Sequence, residues 1–191
     1  HSIQDARMNR IDIEVRSTFK NTPGSLITKK KNISTKNIIR GVSFTKNDTK
    51  ITLVGVKDRP GVAATIFEPL FKNLINVDMV VQNISSSKNE TDLTFTIKND
   101  DLLKTRKLIS KNNKIKFRKL LIDEKVSKVS IVGVGMITTP GVTFRMFNAL
   151  AKKNINILVI STSEIKISVL VDRKNLKKSV DVLHKEFKLD Y

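Results

Sequence analysis

The sequence contains no cysteine and only two histidines, His1 and His184. The first absence excludes a disulfide scaffold, a thiol nucleophile and every cysteine-based metal site. The second, with the two residues far apart, leaves no histidine-rich metal site. No apolar run approaches the roughly 20 residues that cross a bilayer. Neither a charged n-region nor an apolar h-region with a cleavage site opens the chain, so nothing points to export and the cytoplasm is the expected compartment. Acidic residues number 18 against 36 Lys and Arg, a net charge of +18 over 191 residues. A charge of that size first suggests nucleic acid or an anionic surface. Its distribution argues otherwise: Lys29-Lys30-Lys31 is the one run of three, and the rest, as in Lys104–Lys107, Lys111–Lys119 and Lys174–Lys178, are spread along the chain as a solvated surface. With 39% hydrophobic residues, the length suits one medium domain or two small ones, each able to bury a core.

What is present is repetition. Lys50-Ile-Thr-Leu-Val-Gly-Val56 returns as Lys128-Val-Ser-Ile-Val-Gly-Val134, and Pro60-Gly-Val62 as Pro140-Gly-Val142. Ile66-Phe67 matches Met146-Phe147, Leu70 matches Leu150, and Ile75-Asn76-Val77 matches Ile155-Asn156-Ile157. The offset is 78 residues before the Pro-Gly (128 against 50) and 80 after it (140 against 60), so the second loop is two residues longer. One unit has been duplicated.

Each unit reads alike. Segments 50–56 and 128–134 are apolar and β-branched, as buried strands are. Pro-Gly then opens a helix, with Pro at a first-turn position whose N–H would be unpaired anyway. Ala63, Ile66, Phe67, Leu70 and Leu74 form one apolar helical stripe, with Pro69 inside it expected to kink the helix. A strand over 76–85, a Ser-Ser-Ser-Lys-Asn-Glu loop and a strand over 91–98 follow. Asn99-Asp100-Asp101 offers caps for a helix to about Ser110, and Ile115–Leu121 reads as a fourth strand. This is the split βαβ plan, an α+β fold with antiparallel sheets and helices on one face. The second unit repeats it through 156–161, 165–172 and a helix at 175–187, where Leu176, Val180, Leu183 and Phe187 share a face. It lacks a fourth strand. Asn37–Lys46 is strand-like, ends at an Asn47-Asp48 turn and belongs to no unit. It is expected to supply the absent strand, which inserts the first unit in sequence into the second; an extended linker is the alternative.

These motifs carry a family resemblance. Asp58-Arg-Pro-Gly-Val-Ala-Ala64, Asn76-Val-Asp-Met-Val-Val-Gln-Asn83 and Thr91-Asp-Leu-Thr-Phe95 resemble the first ACT module of aspartokinases. Val129-Ser-Ile-Val-Gly-Val-Gly-Met136, Pro140-Gly-Val142 and Ile160-Ser-Thr-Ser-Glu-Ile-Lys-Ile-Ser168 resemble the second. Ile13-Glu-Val-Arg-Ser-Thr-Phe19 and Pro23-Gly-Ser-Leu-Ile27 resemble the end of the preceding amino-acid kinase domain. The resemblance implies a kinase-domain remnant at 1–30, a first ferredoxin-like βαββαβ ACT domain at 47–125, and a second at 37–46 plus 126–191. Nearly all of the kinase domain is absent. Gly133-Val-Gly135 is a weak fragment of a dinucleotide pattern, with Thr138 where a third Gly belongs, and no Gly-Lys-Ser/Thr loop exists. The chain is therefore expected to hold no cofactor and to be inactive alone, with ATP and Mg needed only by the missing domain of an ATP-dependent aspartate kinase.

The same resemblance implies lysine, threonine or both as feedback effectors. A free amino acid presents a carboxylate and an ammonium. In the turn at Asp58–Ala64, Gly61 admits a close approach, and the N–H groups of Val62, Ala63 and Ala64 at a helix start suit the carboxylate; a merely well-capped helix is the plainer reading. Asn76, Val77, Asp78 and Gln82 open the next strand, whose start is expected beside that turn. Asp78 is placed to accept the ammonium, and Asn76 and Gln82 to donate and accept, although Asn76 also suits a simple helix-to-strand turn. Asp58 either contacts the effector, as the family favours, or pairs with Arg59 or a nearby lysine. In the second unit Met136, Thr138, Gly141 and Val142 occupy the equivalent turn, followed by Asn156, Ile157, Thr162, Ser163 and Glu164. Glu164 receives a basic side chain or lies in a hairpin. Phe144, Met146 and Phe147 read as core, and His184 as surface.

Pairing of exposed sheet edges and helix faces predicts at least a homodimer. Two other readings compete. One is an RNA-binding protein of ferredoxin-like modules, which needs aromatics displayed on the sheet; Phe95 is the one candidate in a predicted inner strand, and the sole tyrosine is Tyr191. The other is a separate beta-type regulatory subunit that docks on a kinase chain.

Overall fold

The computed structural model describes residues 2–19, 21–27, 38–84, 89–134, 136 and 139–189. They fall into two units, 1–37 and 38–191. The first holds α1 (Ser2–Met8) and a small antiparallel hairpin of β1 (Ile13–Val15) and β2 (Ser25–Ile27), in which Ile13 faces Ile27. Ile3, Met8, Ile11, Val15, Phe19 and Leu26 of this unit are exposed.

The second unit runs β3 (Ile39–Lys57), α2 (Val62–Lys72), β4 (Val80–Ile84), β5 (Glu90–Lys98), α3 (Leu102–Lys111), β6 (Lys119–Gly133), α4 (Val142–Ala151), β7 (Val159–Thr162), β8 (Lys166–Asp172) and α5 (Leu176–Glu186). All six strands form one antiparallel sheet in the order β4-β5-β3-β6-β8-β7.

Its centre is two long strands, β3 with 19 residues and β6 with 15. Gly41–Thr45 lie against Lys128–Val132, and Lys50–Val54 against Lys119–Asp123. The expected turn at Asn47-Asp48 does not reverse the chain. The register instead slips between Thr45 and Asp48, and the nearly buried Asp48 carboxylate accepts the Thr45 hydroxyl. That is a bulge: an extra residue kinks the strand while a local side-chain bond satisfies it. The expected strand at Ile115–Leu121 likewise begins only at Lys119 and then continues without a break to Gly133, and the strand expected from Asn76 starts at Val80.

Each repeat has its own core. Ile51, Leu53, Phe95 and Ile97 pack under Ile66, Leu70 and Ile109, with the Phe67 ring edge-on to Phe95 at 5.3 Å. Val129, Ile131, Val169 and Val171 pack under Met146, Leu150, Leu176, Leu183 and Phe187. Two expected core residues lie outside. Leu74 is 90% exposed because α2 ends at Lys72 and Leu74 takes a left-handed φ of 57°, handing the inward place to Ile75. The repeat ends α4 the same way: Ile75 N–H donates to Leu70 O and Ile155 N–H to Leu150 O. Phe144, on the outer face of α4, is 69% exposed. Pro69 sits late in α2, where a missing N–H costs one bond near the helix end, and the helix runs on to Lys72. A third small cluster of Met79, Val126 and Leu170, flanked by Leu158 and Val159, ties the repeats together.

Candidate effector site

The two Pro-Gly turns are built alike. Gly61 and Gly141 have φ of 85° and 90°, in the left-handed region that glycine adopts without strain, and each leads directly into a helix. Thr65 donates both its N–H and its hydroxyl to Gly61 O at 3.0 Å, and Arg145 N–H donates to Gly141 O at 2.9 Å. The Val62 N–H, expected to be available, instead donates to Arg59 O at 3.2 Å within the turn, which leaves the first-turn N–H groups of Ala63 and Ala64 for a ligand. A pocket of about 320 Å³ opens beside this turn, lined by Lys57, Arg59, Val62, Thr65, Lys114 and Lys116 among others. Its charge suits a carboxylate. A larger groove of about 650 Å³ between α2 and α3 touches none of the expected site residues. Asp58 is exposed, and its N–H donates to Asn89 O at 2.8 Å.

The structure separates two groups expected side by side. Asp58–Ala64 lie at the end of the sheet where Lys57 faces Glu90, whereas Asp78 N–H bonds Thr96 O, beside Lys50, at the opposite end. Helix α2 lies between them, and its 11 residues span about 16 Å at 1.5 Å each. The reason is the crossover itself: a helix returning along its strand places its end, and not its start, next to the following strand. Asn76 and Asp78 are exposed, Val77 is half-buried, and Gln82 is exposed midway along β4.

Asp78 is not vacant. Lys128, from the first strand of the second repeat, places its ammonium on the Asp78 carboxylate. Lys128 keeps 12% of its side chain exposed, Asp78 50%. Burial holds the Lys128 ammonium below the ordinary lysine value of 10.5; the Asp48 carboxylate works against that, and Lys166 adds to it. Sequence reasoning passed over Lys128, although its place at the head of a repeated apolar strand was a signal that it lies at a junction.

In the second repeat, Gly133 N–H donates to Ile165 O at 2.9 Å, which brings the β7–β8 hairpin of Ser163 and Glu164 to the end of the sheet that carries Gly141. Glu164 is exposed in that hairpin, Ser163 is tied to Lys166 O, and Thr162 is exposed at the end of β7. Met136 and Val142 are buried in the second core and present only backbone. Thr138 lies outside the described residues. Asn156, exposed, and Ile157, half-buried, sit at the other end, near the Met79 cluster. His184 is half-buried on α5.

Phe95 is fully buried against Phe67, so it displays no ring to a nucleic acid. Among the described residues no group of three or more His, Cys, Asp or Glu is placed to hold a metal, and no helix is long and apolar enough to cross a membrane.

A family profile for the ACT domain matches residues 51–112 and 129–187. An aspartate kinase of Pseudomonas fluorescens (strain SBW25) is 43% identical over 191 residues, 99% of this chain and 46% of that protein. The chain thus spans about half the length of the curated relatives it matches. Among solved structures, one of aspartokinase alpha and beta subunits is 40% identical with a TM-score of 0.72, over 78% of this chain and 99% of the other. The ligand-free regulatory subunit of aspartate kinase from Thermus thermophilus is 32% identical with a TM-score of 0.73, over the same shares.

Proposed function

Since the chain belongs to the ACT-domain family, as the tandem regulatory region of an aspartokinase, we propose that it binds free lysine, threonine or both and passes that signal to a kinase domain or kinase subunit. The observation that carries this reading is the pair of left-handed glycine turns, each opening a helix, the first with two N–H groups and a cationic pocket for a carboxylate. Asp58, Asp78, Asn76 and Gln82 then supply the polar contacts, and Gly141, Asn156, Thr162, Ser163 and Glu164 their counterparts. ATP and Mg act, on this reading, in the kinase portion of the longer relatives.

A homodimer completes the site. Within one chain the turn and Asp78 lie at opposite ends of α2, too far apart for one amino acid. Among the described residues β4 is hydrogen-bonded to β5 alone, which leaves its other edge for pairing. Antiparallel pairing of two β4 edges sets the start of one strand beside the end of the other, and therefore Asp78 of one copy near the Gly61 turn of its partner. A kinase chain that docks as a partner, as in the relative with alpha and beta subunits, uses the same sensing chemistry.

The domain reading follows. Residues 47–125 form the first ACT domain, 37–46 with 126–191 the second, and 1–30 a remnant of a kinase domain. Pairing of Gly41–Thr45 with Lys128–Val132 supports placing the first module inside the sequence of the second.

A thermal-shift titration tests the function. An effector at about 100 times its Kd stabilises the fold by roughly 2.7 kcal/mol. A melting temperature unmoved by lysine, threonine or their mixture sinks the sensing reading, and strongly salt-dependent binding to random RNA would restore the nucleic-acid alternative.

A further inference from the structure

Lys128 is paired with the Asp78 carboxylate and has a second in its neighbourhood, because Thr45, its partner across the sheet, donates its hydroxyl to Asp48. Asp78 belongs to the first repeat and is half in water. Asp48 belongs to the shared strand β3, is 8% exposed, and lies close enough to favour the lysine's charge. The stem of Lys128 leaves β6 between Thr45 and Leu170, beside the Met79–Val126–Leu170 cluster that joins the repeats. An ammonium arriving from solvent reaches Asp78 from its exposed side without crossing the protein. It cannot share that carboxylate with a second cation at no cost, because two like charges at hydrogen-bond distance from one group repel each other. The buried lysine, once displaced, needs another partner, since a buried unpaired charge is costly.

We propose that Lys128 is a resident competitor for the effector's ammonium: it occupies Asp78 in the free chain and passes to Asp48 when an amino acid binds. The inference rests on the sensing function proposed above and adds its means of regulation. Because Lys128 and Asp78 come from different repeats, each binding event breaks a bond between them. By linkage, whatever loosens that junction tightens the ligand, and the ligand loosens the junction in turn.

Calorimetric titration of the full chain with L-lysine and with L-threonine tests the exchange. Lys128→Met keeps the apolar stem and removes the competitor, so it should bind about fivefold more tightly than the parent. Asp48→Asn removes the second acceptor and should bind about fivefold more weakly. Should Lys128→Met not fold, Lys128→Arg asks the same question in reverse: a guanidinium grips Asp78 in a two-pronged bond and should weaken ligand binding. Affinity unchanged or lowered in Lys128→Met, or unchanged in Lys128→Arg, overturns the exchange. A parent chain that binds neither amino acid overturns the sensing function itself, whereas a parent that binds while Lys128→Met matches it overturns the exchange alone.

Discussion

Lys128 and Asp78 form an unequal pair: the cation keeps 12% of its side chain exposed, and the anion that neutralises it is half in water. The two ends of one ion pair therefore carry different risks.

Removing the exposed end is the costly change. Asp78→Asn strips the partner from a buried ammonium and should destabilise the chain by about 1–2 kcal/mol. Lys128→Met leaves Asp78 to water and Asp48 still bonded to the Thr45 hydroxyl, and should cost less than about 0.5 kcal/mol. Urea denaturation of both variants decides the matter, and equal losses would contradict the asymmetry.

The two cores should fall together. Leu70 and Leu150 occupy the same place in the two repeats, and neither is exposed. Truncation to Ala should cost about 2–5 kcal/mol at either position. Because β3 and β6 run through both repeats, each variant should unfold in one transition with a lowered midpoint. Two separate transitions by circular dichroism and phenylalanine-sensitive near-ultraviolet signals would show that the repeats fold independently.

Two glycines in facing strands should respond in opposite ways. A Cβ on Gly133 would run into the Ile38 carbonyl oxygen, part of the backbone, which cannot swing aside. Gly133→Ala should cost about 2 kcal/mol or more. Gly41 has nothing within 4 Å of a built Cβ, and Gly41→Ala should stay within about 0.5 kcal/mol of the parent. Similar midpoints for the two variants in urea would mean that β3 does not lie against the end of β6 as described.

Acid should uncover Asp172. Its carboxylate accepts the Lys174 N–H at 3.0 Å and faces the Lys174 ammonium at 3.3 Å. The Lys174 backbone N–H is the largest influence and holds it below the ordinary aspartate value of 3.8; burial opposes this, and the side chain and charge of Lys174, with the charge of Lys125, add to the lowering. The unfolded chain thus binds the proton more readily. Its stabilising contribution is complete above pH 3.8 and is lost as the pH falls through the lower native value. Asp172→Asn should flatten that part of the acid limb, and a carboxyl NMR titration should place the Asp172 midpoint below 3.8. A midpoint at or above 3.8 would refute this pairing with Lys174.

The repeat was legible because duplicated strands and Pro-Gly turns need the same residues to make the same geometry, and Gly61 and Gly141 indeed share one conformation. The stripe on α5 was legible for a similar reason: helical spacing alone selects Leu176, Leu183 and Phe187 for burial. Continuity was not legible. Asn47-Asp48 has the composition of a turn, and only the Thr45 hydroxyl and the neighbouring strand make it a bulge. Nor does spacing along the chain reveal which end of a sheet a residue occupies, so Asp78 seemed close to Gly61 when a whole helix lies between them. Lys128 was hidden because its partner comes from the other repeat, 50 residues away.

Strands β3 and β6 each run along both cores, with Gly41–Thr45 against Lys128–Val132 at one end and Lys50–Val54 against Lys119–Asp123 at the other. The repeats are therefore not interchangeable cassettes. A chimera that joined the first repeat of one relative to the second of another would cut both central strands and mismatch the bulge at Thr45–Asp48. Recombination that preserves the sheet must carry residues 39–172 across as a single block.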